Sequence, residues 1–217
     1  MRSRRPWLRR VSVTAVSATA LVALAAPAEA TPSAAAPTTA TAAFPATAPA
    51  LAADVDRDTW QRDCQAVMDQ ALPYVRQRIA DARPGEKQAI VLDIDNTALE
   101  TDFGFSFPQP ANEPVLEVAR YAEEHGVDLF FVTARPGILH APTEWNLDHA
   151  GYESSGLYVR SFIDLFRNVA EYKTAQRVAI ERKGYTIIAN IGNSPTDLSG
   201  GHAERTFKLP DYDGRLS

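Results

Sequence analysis

Lys87-Gln88-Ala89-Ile90-Val91-Leu92-Asp93-Ile94-Asp95-Asn96-Thr97 is the stretch on which the architecture turns. Ala89 to Leu92 is apolar without alternation and too short to be a helix core. Such a run, rich in branched side chains, reads as a strand buried on both faces, and strands of that kind belong to parallel sheets. The run ends in a carboxylate, Asp93, with a second, Asp95, two residues on.

The same pattern recurs outward from this point. Val127 to Thr133 is a second buried strand; Leu157 to Arg160 is a third strand, a short one, Thr186 to Ile191 is a fourth, and Thr206 to Leu209 is a candidate for a fifth. Helical spacing of apolar residues separates them: Val115 to His125 closed by Gly126, a helix within Gly137 to Ala150, and Asn168 to Lys183 closed by Gly184. Ahead of the first strand, Val55, Trp60, Cys64, Val67, Met68, Ala71, Leu72, Val75 and Ile79 recur at helical spacing, as one helix or as two broken near Pro73. Alternating strands and helices predict an α/β fold, a doubly wound parallel sheet with helices on both faces. In such sheets the ligand crevice lies beyond the carboxyl ends of the strands. Asp93, Thr133 and the Asn193/Asp197 segment all follow strand ends.

The N-terminal quarter has a different character. Residues 1–10 carry five arginines and no acid, Val11 to Ala26 is apolar and small, and Ala28-Glu29-Ala30 is a small-x-small exit. This is the form of a secretory signal peptide, predicted over residues 1–30. The general secretory route fits the flanks better than the twin-arginine route, despite Arg9-Arg10. Residues 31–53 hold 11 Ala, 5 Thr and 4 Pro without a charge, the composition of a disordered linker. The folded domain is therefore expected over 54–217. Cleavage after Ala30 removes five positive charges and one negative, taking the formal net charge from −5 to −9. That balance argues against a nucleic-acid polymer as partner. A lone Cys64 on an apolar stripe reads as a core position, and no internal disulfide can form.

Four segments carry chemistry. Asp93 and Asp95 leave one strand at i and i+2, placing a nucleophile beside a proton shuttle; the competing reading is a turn rich in Asx residues. Thr133-Ala134-Arg135 puts a hydroxyl at a strand end, either to meet a phosphate oxygen or to cap the next helix. Arg135 meets either a phosphate or an acidic side chain. Lys173, near a helix start, is placed to neutralise a carboxylate and a transferring phosphoryl group; alone it would read as a solvated lysine. Gly192-Asn193-Ser194-Pro195-Thr196-Asp197 presents hard oxygen donors suited to Mg²⁺, or else a Ser-Pro turn with Asp197 as an N-cap. Phe103, Phe105 and Phe107 follow the first segment and either face a flat leaving group or pack on the core. His125, His140, His149 and His202 lack metal-ligand spacing, and Trp145 and Tyr152 read as structural.

Taken in order, these segments resemble the haloacid dehalogenase superfamily of phosphohydrolases, from about Gln88 to Leu209. Within it the chain is most similar to exported class B and vegetative-storage-protein acid phosphatases. The resemblance implies a Rossmann-like core with only a small flap, and a small phosphomonoester as substrate. It also implies attack by Asp93, proton transfer by Asp95, phosphate binding by Thr133, Lys173 and Arg135, and Mg²⁺ held by Asp93, Asp95, Asn193 and Asp197. The family pattern has Asp where this chain has Asn193, which predicts weaker metal binding or heavier reliance on Asp197 through water. The expected function is a secreted Mg²⁺-dependent acid phosphatase working through an aspartyl-phosphate. The alternative is a weakly active or non-catalytic phosphate- or metal-binding protein on the same fold. Neither a stable membrane span after cleavage nor a particular oligomeric state is implied.

Overall fold

The structure, a computed structural model, describes residues 55–104 and 106–216. The signal-peptide and linker readings, and Phe105, lie outside the described residues. Five strands form one wholly parallel sheet in the order β3-β2-β1-β4-β5. They are β1 (Lys87–Leu92), β2 (Asp128–Pro136), β3 (Gly156–Arg160), β4 (Tyr185–Gly192) and β5 (Arg205–Lys208). The helices are α1 (Arg57–Ala80), α2 (Glu113–Glu124), α3 (His140–His149), α4 (Val169–Arg182) and the single turn α5 (Pro195–Leu198).

Alternation along the central strands divides the core. Ile90 and Leu92 of β1, with Leu129 and Phe131 of β2, join the stripe Trp60, Cys64, Met68, Ala71 and Val75 of α1 and the apolar face of α2. Ala89 and Val91, with Phe130 and Val132, pack against Tyr172 and Ile180 of α4 on the opposite face. Each central strand is thus buried twice, which is why its sequence shows no polar alternation.

Of the two readings of this segment the structure has the single helix: α1 runs unbroken through Pro73. Pro73 lies on the exposed face, so the Asp69 carbonyl that loses its N–H partner can be met by water, while the buried stripe on the other side stays in register. Successive strands step outward from β1 in one direction through β2 and β3, and in the other through β4 and β5. The switch point therefore lies between the carboxyl ends of β1 and β4.

The chain leaves β1 through a compact turn. The Asp93 carbonyl accepts the Ala98 N–H and the Ile94 carbonyl the Leu99 N–H. A bridge from Leu99 to Ala111 then closes the base of a flap formed by the intervening residues. Glu100, buried at that base, accepts two 2.6 Å hydrogen bonds from the Arg57 guanidinium and one of 2.7 Å from Gln61, tying the flap root to the start of α1.

Candidate active site

At the switch point the Lys173 ammonium donates to Asp93 Oδ1 and Asp197 Oδ1, both at 2.5 Å. All three residues are buried. Lys173 is the fifth residue of α4, which Asn168 caps by accepting the Ala170 N–H at 2.8 Å. Burial works against the ammonium, but the charges of Asp93 and Asp197 outweigh it and its pKa rises above the ordinary lysine value. Burial lifts the Asp93 carboxyl above the usual carboxylate range; Lys173 opposes the rise, and the charges of Asp197 and Asp95 add to it.

Asp197 is gripped at both oxygens. While Oδ1 faces Lys173, Oδ2 accepts the Ser194 N–H at 2.8 Å. The N-cap of α5 is Ser194, and Asp197 is its capping-box partner three residues on, rather than the cap itself. Gly192 makes this close packing feasible, because a Cβ there would stand 2.4 Å from the Asp197 Cβ. Beside them the Asn193 backbone N–H donates to Thr97 Oγ1 at 3.1 Å, and its side-chain Nδ2 donates to the Leu216 carbonyl. Thr97 thus serves the loop, joining the turn after β1 to the turn after β4.

A cavity of about 460 Å³ opens onto this cluster and is lined by Asp93, Asp95, Asn96, Lys173, Asn193 and Asp197 among others. Asp95 is the more exposed carboxylate of the pair, and Arg135 holds it through Nε at 3.1 Å and Nη2 at 2.7 Å. Arg135 also donates to Thr143 at 3.2 Å and to Gln109 of the flap at 2.9 Å. Of the two partners the sequence allows Arg135, the structure supplies the acidic one. Thr133 is fully buried; its hydroxyl oxygen accepts the Arg135 N–H at 3.2 Å, and Ala134 forms the cavity wall at the end of β2.

The sequence pattern of the HAD superfamily, subfamily IIIB (acid phosphatase), matches residues 14–109 and 106–215. The chain belongs to that family. Membership places this subfamily IIIB chain among the phosphomonoesterases. It is 30% identical over 178 residues to the stem 28 kDa glycoprotein of Glycine max, covering 71% of this chain and 68% of that one. It is 27% identical over 160 residues to acid phosphatase 1 of Solanum lycopersicum, covering 73% of this chain and 59% of that one. Its fold matches the class C acid phosphatase of Bacillus anthracis with a TM-score of 0.58 at 15% identity, over 72% of this chain and 80% of that one.

Several supporting residues of this acid phosphatase family member carry no motif. Arg177, one turn after Lys173 on the same face of α4, is buried. It donates to the carbonyls of Asp197 (2.7 Å) and Gly201 (2.9 Å) and to that of Ser199. Asn190 also donates to the Asp197 carbonyl, at 2.9 Å. In the sequence, Arg177 reads as one more charge on an amphipathic helix. The available signals are its i+4 spacing from Lys173 and the polar Asn190 inside an apolar strand. Asn146 of α3 grips the flap, accepting the Gln109 N–H at 2.9 Å and donating to the Gln109 carbonyl at 2.8 Å. Phe103 packs on Trp60, with ring centroids 4.7 Å apart, whereas exposed Phe107 stacks on Trp145 at 5.1 Å. Tyr152 and Cys64 are core residues, as their spacing implies.

Proposed function

We propose that this chain is an exported, Mg²⁺-dependent acid phosphatase that hydrolyses phosphomonoesters through a covalent aspartyl-phosphate on Asp93. The observation that carries the reading is the buried Asp93–Lys173–Asp197 cluster facing a cavity at the switch point of the sheet. Export rests on the leader-like residues 1–30; among the described residues no helix is long and apolar enough to cross a membrane.

In the first step a carboxylate oxygen of Asp93 attacks phosphorus, the ester P–O bond breaks, and the departing oxygen takes a proton from the Asp95 carboxyl. In the second, a water gives its proton back to Asp95 and attacks the same phosphorus. The bond to Asp93 breaks, releasing inorganic phosphate. Lys173 balances charge on Asp93 throughout, and phosphoryl transfer asks mainly for such positioning and neutralisation. Arg135 holds Asp95 through both of its carboxylate oxygens.

Asp93, Asp95, Asn193 and Asp197, the ligands that the resemblance implies, all line the cavity, and each brings an oxygen donor. Among the described residues no three His, Cys, Asp or Glu side chains stand close enough to cage an ion. A sparse oxygen set fits Mg²⁺, which keeps several waters. Bound there, the ion would offset charge on the phosphoryl oxygens. A second reading, binding without turnover, draws on Asn193, which brings an oxygen but no charge.

The test is phosphate release from an aryl phosphate by the purified protein with Mg²⁺, with EDTA, and as Asp93→Asn. The proposal expects turnover in the first and a loss of at least about 1,000-fold in the variant. Equal rates in all three defeat it, and calorimetric phosphate binding without release selects the second reading.

A further inference from the structure

The last described turn of the chain ends against the site. Leu216 is buried in the core that includes α1, and its N–H donates to the Asp211 carbonyl at 3.1 Å. The Tyr212 hydroxyl donates to Asp63 of α1 at 2.6 Å, and Lys208 pairs with Asp211 at 3.1 Å. So anchored, the turn delivers the Leu216 carbonyl to Asn193 Nδ2, 23 residues away in sequence.

That contact fixes which way the amide faces. A carbonyl only accepts, so the nitrogen of Asn193 must be the end that meets it. The other end meets Thr97, whose oxygen already accepts the Asn193 backbone N–H and whose proton is left for Asn193 Oδ1, 3.4 Å away. Both contacts give the same assignment: the amide oxygen accepts one proton, from buried Thr97, and keeps a second lone pair, and Asn193 is among the residues that line the cavity. An aspartate at 193 would set a carboxylate oxygen against the Leu216 carbonyl, with no proton between them.

We propose that the turn Asp211–Leu216 is a positioning element of the site: its Leu216 carbonyl orients the Asn193 amide so that an oxygen faces the cation. The departure from the family's Asp and the docked turn Asp211–Leu216 are then one device. An amide needs orienting because only one of its ends can coordinate, whereas a carboxylate presents an oxygen either way. The inference rests on the Mg²⁺ reading above.

A four-protein cycle tests it: the parent, Asn193→Asp, the chain ending at Arg215, and both changes together, each titrated with Mg²⁺ by calorimetry. Truncation is expected to weaken Mg²⁺ about tenfold or more in the parent, as loss of an orienting partner does. It should shift the Asn193→Asp protein by less than about twofold. Equal losses in both backgrounds, or no loss in the parent, overturn the inference alone. A parent that binds no Mg²⁺ overturns it together with the metal reading. Should truncation prevent folding, NMR of the intact chain decides: a protected Asn193 side-chain amide proton with scalar coupling across the hydrogen bond to the Leu216 carbonyl carbon is expected. Rapid exchange without coupling overturns the proposal.

Discussion

Arg135 commits four of its five N–H donors to Asp95, Gln109 and Thr143, which leaves little to offer a phosphate. Its work is to hold Asp95 at one angle, and a lysine cannot copy a planar fork. Arg135→Lys is therefore expected to lower kcat for an aryl phosphate by about 10- to 100-fold with KM held within about threefold, since small misplacements of a reacting group are costly. A rise in KM at constant kcat, in steady-state assays at saturating Mg²⁺, would assign Arg135 to the phosphate instead. The contrast with Lys173 shows what a sequence can carry at this scale. Asp93, Lys173 and Asp197 are legible as one cluster because each follows a strand end or opens a helix, and topology brings such positions together. The partner of Arg135 depends on where Gln109 and Thr143 fall, and neither stands at a strand end. Thr133 shows the same limit, for a strand-end hydroxyl can be placed from sequence but its burial behind Ala134 cannot.

Among the elements, the strands are legible to within a residue or so at most ends; in the central β1, β2 and β4 double burial leaves a plain apolar run, while the edge strands β3 and β5 are short and only partly buried. β2 extends further, to Pro136, since its continuation carries Arg135 toward Asp95 instead of more core. The sequence of the first helix leaves its course at Pro73 open. A proline costs about 3 kcal/mol in a free helix interior, but α1 is held by tertiary packing of Trp60, Cys64, Met68, Ala71 and Val75, and that packing overrides the local cost. The cost remains in the folded state even so. Pro73→Ala restores an N–H for the Asp69 carbonyl on an exposed face, with no core atom disturbed. The replacement gives back some of its gain through a freer unfolded chain. A net stabilisation of about 1–2 kcal/mol is expected in urea unfolding, seen as a higher midpoint at constant slope. An unchanged or lower midpoint would mean the helix bends at Pro73 to suit the core.

For the whole molecule, the acidic balance divides into groups that the fold favours in charged form and groups that it does not, Asp93 in the site and Glu123 outside it. Glu86 accepts from Arg78 and Arg83, which hold its carboxyl well below the usual range; Asp164 is lowered by Ser161. Both stabilise the fold above their ordinary pKa values and lose that contribution as the pH falls through the folded ones. Glu123 runs the other way. Burial pushes its carboxyl up to about 7, although it accepts the Glu153 N–H at 2.9 Å and Arg120 lies near. Between its ordinary value near 4.5 and about 7 the unfolded chain releases a proton that the folded chain keeps, so stability falls as the pH rises through that window. Glu123→Gln keeps an acceptor for the Glu153 N–H and removes the ionisation. Melting curves of parent and variant should nearly coincide at pH 4 and separate by a few degrees at pH 8, the variant melting higher. That gap corresponds to about 1 kcal/mol once solvent screening at this partly exposed site is allowed for. A gap independent of pH would instead assign the effect to packing, and a parent that melts higher at pH 8 would place the Glu123 carboxylate among the stabilising charges.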